Sequence, residues 1–261
     1  MQAVTGIFVS QTKAEQTIRK LQADGLQADR VTLLSPGGKG LKKLESVPGD
    51  STEQPGMGTA IGAVVGGAAG LSGALAAVVP GVGPVTAAGL LGAAILSAAG
   101  ASLGAVAGGS IENFMTEGLP EDEIFVYEDA LRKGRSVVIA LAEDAAGARP
   151  IRELLKSEGA EATDAARNEW WIGLRSAEQE HYLKSGRTFG DDEKFYRLGF
   201  EAALHARTRC QEFDQVAAEM ASDLEDLERQ HPGVDVADQF TRGYQRGREY
   251  YQHLCEKGRA A

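Results

Sequence analysis

The sequence predicts an α+β protein. A small α/β sandwich is interrupted by a two-helix, Gly/Ala-rich hydrophobic hairpin and followed by an all-α C-terminal region. Three observations carry this reading. Short β-branched runs alternate with amphipathic runs both before and after the middle of the chain. Between Glu53 and Glu112 there is no charged residue. Charges and aromatics return after residue 165. The predicted boundaries are 1–50 with 113–165 for the α/β domain, 51–112 for the hairpin and 166–261 for the helical domain.

Ala3–Ser10 is short, apolar and β-branched, the composition of a strand. A helical run to Ala23 follows, with Thr12 at its expected N-cap and Ala14, Ile18 and Leu21 on one face. Gly25 stops it. Asp29–Leu34 predicts a second strand, and Ser35–Gly40 a turn. That turn holds Lys39 among glycines but lacks the Gly-x-x-x-x-Gly-Lys-[Ser/Thr] order of a phosphate loop, so no nucleotide site is assigned to it. Residues 37–50 form a polar linker.

The charge-free stretch divides at Pro80, Gly81, Gly83 and Pro84 into two apolar arms, Met57–Val79 and Val85–Ile111. Each exceeds the roughly 20 residues a helix needs to cross a bilayer core. Gly58, Gly62, Gly66 and Gly70 recur every fourth residue, as do Gly100, Gly104 and Gly108, with Gly92 in phase. Residues four apart share a helix face, and a ladder of glycines lets another backbone approach closely. Three arrangements fit: a membrane hairpin, a glycine-packed oligomer core away from lipid, and a low-complexity insert without fixed structure. Length without charge favours the first. The high Ala and Gly content, with few large apolar side chains, favours the second.

Beyond the insert, Gly118-Leu-Pro-Glu-Asp-Glu marks a helix start, with Pro120 and acids suited to a first turn. The helix runs over 121–133, with Tyr127 and Leu131 on one face, and ends at Gly134. Ser136–Ala142 is a fully buried type of strand. Asp144–Glu158 is a helix carrying Ile151, Leu154 and Leu155, stopped by Gly159. Residues 160–165 predict a fourth short strand.

In the C-terminal region a helical stretch begins around Asn168, with Trp171, Leu174 and Tyr182 as expected buried contacts. Trp170-Trp171 reads as one core and one interfacial tryptophan. Asp191-Asp192-Glu193 is the expected cap of a helix reaching Leu204. Phe213–Gln230 is a strongly acidic helix with an apolar seam, and residues 236–257 form the last one. Tyr196-Arg-Leu-Gly199-Phe200 and Phe240-Thr-Arg-Gly243-Tyr244 share an aromatic-x-x-Gly-aromatic pattern, which suggests two helices crossing at glycine.

No catalytic, cofactor-binding or metal-binding residue is assigned. His181, His205, His231 and His253 form no zinc-type pair with one another or with Cys210 and Cys255, and each reads as a surface histidine. No Gly-x-Ser-x-Gly elbow is present. The net charge of −10 argues against a nucleic-acid partner, since phosphate binding needs a basic face. Two distant cysteines make no disulfide framework, which suggests a reducing compartment. The first residues lack the basic start and apolar core of a secretion signal.

The motif Thr5-Gly-Ile-Phe-Val-Ser, the turn Val79-Pro-Gly-Val-Gly-Pro84 within a Gly/Ala insert, and Gly118-Leu-Pro-Glu-Asp-Glu-Ile-Phe-Val-Tyr-Glu-Asp-Ala-Leu-Arg-Lys-Gly134 followed by a strand together resemble the bacterial general stress protein domain of the heat-induced type. The resemblance covers about residues 1–165. It implies a bacterial source, a ferredoxin-like arrangement of the α/β unit and a link to stress responses, and it carries no catalytic residues. The functional expectation is a non-enzymatic stress-associated protein, anchored in the bacterial inner membrane with both termini cytoplasmic and self-associating through a glycine-zipper hairpin. The alternative is a soluble cytoplasmic homo-oligomer, a ring or shell whose hairpins bury one another.

Overall fold

A computed structural model describes residues 1–37, 74–89, 91, 92, 95, 96 and 121–260. Gly58, Gly62, Gly66, Gly70, Gly100, Gly104 and Gly108 lie outside the described residues. The protein is mixed α+β, with one antiparallel five-stranded sheet and a helical C-terminal region. It divides into two compact units: Met1–Pro120 with Val126–Ala166, and Glu121–Phe125 with Arg167–Ala261.

The first unit is built on strands β1 (Gln2–Phe8), β2 (Val31–Pro36), β3 (Ala74–Val79), β4 (Gly83–Ala88) and β5 (Ser136–Ala142), in the spatial order β1-β5-β2-β4-β3. β5 lies between β1 and β2 and is antiparallel to both. Helix α1 (Gln11–Ala23) joins β1 to β2, and α2 (Ile124–Arg132) precedes β5. Helix α3 (Ala145–Ser157) follows β5. The predicted fourth strand is reduced to a single bridge, in which Ile7 and Glu161 exchange backbone hydrogen bonds of 2.9 Å. It goes no further because the next helix starts at Thr163.

Alternation along the strands gives the sheet two faces. Val4, Phe8, Val31, Leu33, Val138 and Ala140 pack with Ala14, Ile18 and Leu21 of α1 and Ile151 and Leu155 of α3. Gly6 stands where a Cβ would press on Ala160 and Leu155, so its missing side chain lets the chain after α3 close onto β1. On the opposite face the Thr5 and Tyr127 hydroxyls are 2.9 Å apart, and the Leu91 amide donates to Thr32 Oγ1 at 3.2 Å. Leu91, Ile95 and Leu96 are buried.

Local signals explain the helix ends. Ser10, not Thr12, caps α1, its Oγ accepting from the Lys13 amide at 3.3 Å. Asp144 caps α3 through the Gly147 amide at 2.8 Å. Gly25, Gly134 and Gly159 all take positive φ just past their helices, the conformation glycine adopts most cheaply.

The second unit contains α4 (Thr163–Leu183), α5 (Phe189–Ala202), α6 (Phe213–Gln230) and α7 (Val236–Ala260). The crossing of α5 and α7 is its centre. Gly199 faces the Phe240 carbonyl and Tyr244 amide, and Gly243 reciprocally faces the Tyr196 carbonyl and Phe200 amide. A Cβ at either glycine would overlap backbone atoms, and Gly247 is similarly close to the Phe200 carbonyl. The repeated aromatic-x-x-Gly-aromatic pattern is therefore the packing code of this pair. Trp170 and Trp171 are both core residues, in edge or tilted contact with Phe200, which corrects the expectation of one interfacial tryptophan. The α6 seam of Phe213, Val216, Met220 and Leu224 packs on Phe240 and Tyr244, while its acids face solvent.

Candidate functional site

Residues 74–88 of the charge-free insert form a β-hairpin, while Gly92, Ile95 and Leu96 are helical. This corrects the two-helix hairpin over residues 74–88: the first arm does not continue as a helix to Val79, because Ala74–Val79 is β3, and the second does not begin as one at Val85, because Gly83–Ala88 is β4. Pro80 and Gly81 occupy the central turn positions, closed by the Val82 amide donating to the Val79 carbonyl at 3.1 Å. Gly81, at φ 73°, supplies the positive φ that a type II turn needs there. Gly83 and Pro84 open β4 opposite Val79 and Val78. The Pro84 carbonyl accepts from the Gly37 amide at 2.6 Å, which ties the hairpin to the end of β2. β2 accordingly runs to Pro36, past the turn expected at Ser35, because β4 gives it a partner. Gly92 is buried, and a Cβ there would lie 2.9 Å from the Ala87 Cβ.

Sequence signals for this hairpin were present. Pro-Gly between Val78-Val79 and Val85-Thr86 is a turn dipeptide flanked by β-branched residues. The uncharged, Gly/Ala-rich surroundings masked that local pattern.

The hairpin places an uncharged strand at the end of the sheet. β3 pairs with β4 on one side, and among the described residues no strand pairs its other side. Val79, Val85 and Ala87 are buried on one face. On the other, Ala76 and Pro84 are exposed and Val78 is 66% exposed. Natural edge strands are usually blunted by charges, interior proline or bulges. β3 has no charge, no proline and an unbroken register from Ala74 to Val79.

The helical unit holds the buried polar groups that sequence reading missed. Glu178 of α4 is buried and accepts from Tyr196 Oη at 2.9 Å and from Arg246 through Nε at 3.0 Å and Nη2 at 3.1 Å. Burial, reinforced by the Glu178 charge, pushes the Tyr196 phenol well above its usual range. Tyr182 donates to Asp192 at 2.5 Å, and burial with this contact raises it to about 12. Glu193 accepts from Arg175 and from Trp171 Nε1, and the Arg175 hydrogen bonds hold its carboxyl below the ordinary value. His205, expected at the surface, is half-buried: it lies beside Phe125, and burial lowers its pKa to about 4. Such phenols and a neutral imidazole hold their protons poorly matched to general acid–base work at neutral pH. These groups clamp helices together. Among the described residues no group of three His, Cys, Asp or Glu is placed to hold a metal ion, and no helix is long and apolar enough to cross a membrane. Cys210 is exposed and at φ 68°, and Cys255 is half-buried.

Comparison with protein-family models, characterised proteins and solved structures gives no match to this chain.

Proposed function

We propose that this is a non-enzymatic protein that self-associates through its charge-free insert, with the β3 edge as the strand that meets a second copy. One observation carries the reading: an uncharged, proline-free strand with Val78 exposed ends the sheet, and among the described residues no strand pairs its outer side. A strand pairing antiparallel with its own copy satisfies a two-fold axis, the commonest symmetry of homo-oligomers. With no charge on β3, no like-charge repulsion opposes it. The order β1-β5-β2 with the Ile7–Glu161 bridge outside β1 supports the ferredoxin-like reading of the core, to which β4 and β3 are additions. The stress association stands on the motif resemblance of residues 1–165.

A second reading, insertion in the bacterial inner membrane with cytoplasmic termini, is favoured by the absence of charge from Gln54 to Ile111. The two are separated by fractionating the protein without detergent and measuring the mass of the soluble fraction by light scattering. A monodisperse soluble oligomer that Val78→Lys converts to monomer supports the edge. A carbonate-resistant membrane pellet supports the anchor. A soluble monomer overturns both.

A further inference from the structure

The α/β unit carries a trough of about 290 Å³ between the C-terminal end of α1 and the first turns of α3. Leu21, Leu26, Ile151 and Leu154 give it an apolar lining. Asp24, Arg30, Glu143 and Asp144 also line it. Three of these are carboxylates, and the one cation is already engaged: Arg30 reaches Glu143 at 2.9 Å. Asp24 is the C-cap of α1, where the negative end of the helix dipole favours a cation. Among the described residues no cationic side chain pairs with it.

The trough thus offers an apolar lining and an excess of negative charge. We propose that it binds a small aliphatic amine, with the alkyl stem on the leucine and isoleucine side chains and the ammonium at Asp24. The volume equals about ten waters, which suits a molecule of roughly six to eight non-hydrogen atoms and lies near the lower end of small-molecule sites. A carboxylate of the same length would meet like charge, and an alcohol would lose the ionic attraction.

Titration of the full chain with n-hexylamine, n-hexanol and hexanoate by calorimetry tests this. Hexylamine is expected to saturate one site per chain, to bind more tightly than hexanol and to weaken with salt, while hexanoate shows no saturable binding. Asp24→Asn should weaken hexylamine about fivefold, the scale of an exposed ion pair. Gly147 lines the trough, and a Cβ there would make only ordinary contacts, with Asp144 Oδ1 at 3.6 Å and the Ala142 Cβ at 3.7 Å. Gly147→Leu should therefore fill the trough without harming α3 and abolish binding. Hexanoate binding as tightly as hexylamine, hexylamine binding that Gly147→Leu leaves unchanged, or no hexylamine binding at all would overturn the proposal.

Discussion

Glycine does different work in the two units. In the α/β unit Gly81 makes a turn, Gly6 admits Ala160, Gly92 fits beside Ala87, and Gly89 lets the chain after β4 lie against the Val31 carbonyl. In the helical unit Gly199 and Gly243 let two helix backbones touch. The close backbone packing expected of the insert's glycine ladder is thus found, among the described residues, in the charged and aromatic part of the chain. Tyr196, Phe200, Phe240 and Tyr244 flank that contact, and Gly199 and Gly243 between them let the backbones approach.

Substitution is the strongest way to break that contrast. Gly243→Leu should cost about 3 kcal/mol or more, above the usual range for overpacking because its side chain meets backbone rather than a movable side chain. Gly92→Ala meets only the Ala87 methyl and should cost about 1 kcal/mol. Denaturant unfolding, followed by the fluorescence of Trp170 and Trp171 for the first and by far-UV circular dichroism for the second, measures both. Equal losses would remove the distinction between backbone crossing and local relief.

Two carboxylates, one from each unit, show two ways of holding charge. Glu178 is buried and shared by Tyr196 and Arg246, whereas Glu158 of the α/β unit is bound by Lys13 at 3.2 Å and Lys20 at 2.7 Å near the surface. Arg246→Met would strand the Glu178 carboxylate and should cost about 2–3 kcal/mol, at the low end for a broken buried pair because Arg246 itself is partly exposed. Adding Glu178→Leu should recover part of that loss, because the unpaired charge goes with it. An unfolding series on the two single variants and the double variant reads the coupling.

These contrasts explain what was legible in the sequence. The elements of the α/β unit outside the insert could be read from periodicity and stop glycines, and Ser136–Ala142 has the predicted bounds. The helical pair was legible because aromatic-x-x-Gly-aromatic occurs twice. The β3 edge was not, since a hydropathy reading over a long neutral stretch weights length above a local Pro-Gly turn. The Glu178–Arg246 pair was not either, because two charges so distant in sequence look solvated until the fold brings them together. His205 has no sequence signal of burial at all: its position beside Phe125 depends on a segment remote in the chain.

That position gives the two units different acid responses. The His205 pKa is lowered by burial from 6.5 to about 4, so the folded state resists a proton that the unfolded chain accepts. Stability from this group is fully present above pH 6.5 and falls as pH drops toward 4. After allowance for partial exposure the loss is about 2 kcal/mol. His205→Gln should flatten this segment of the stability–pH curve as followed by Trp170 and Trp171 fluorescence. The α/β unit has a different titrating contact. Hydrogen bonds from Lys20 and Lys13 lower the Glu158 pKa, so its contribution is present above the unfolded carboxylate value and is lost only as pH falls through the still lower folded value. It should also fade with added salt, as surface pairs do. Carbon-detected NMR titration of the Glu158 carboxyl, with and without salt, gives the smallest of these effects. A Glu158 midpoint at the ordinary glutamate value in low salt would mean that the two lysines do not hold it in solution, and the surface charge of α1 and α3 would then be solvated rather than paired.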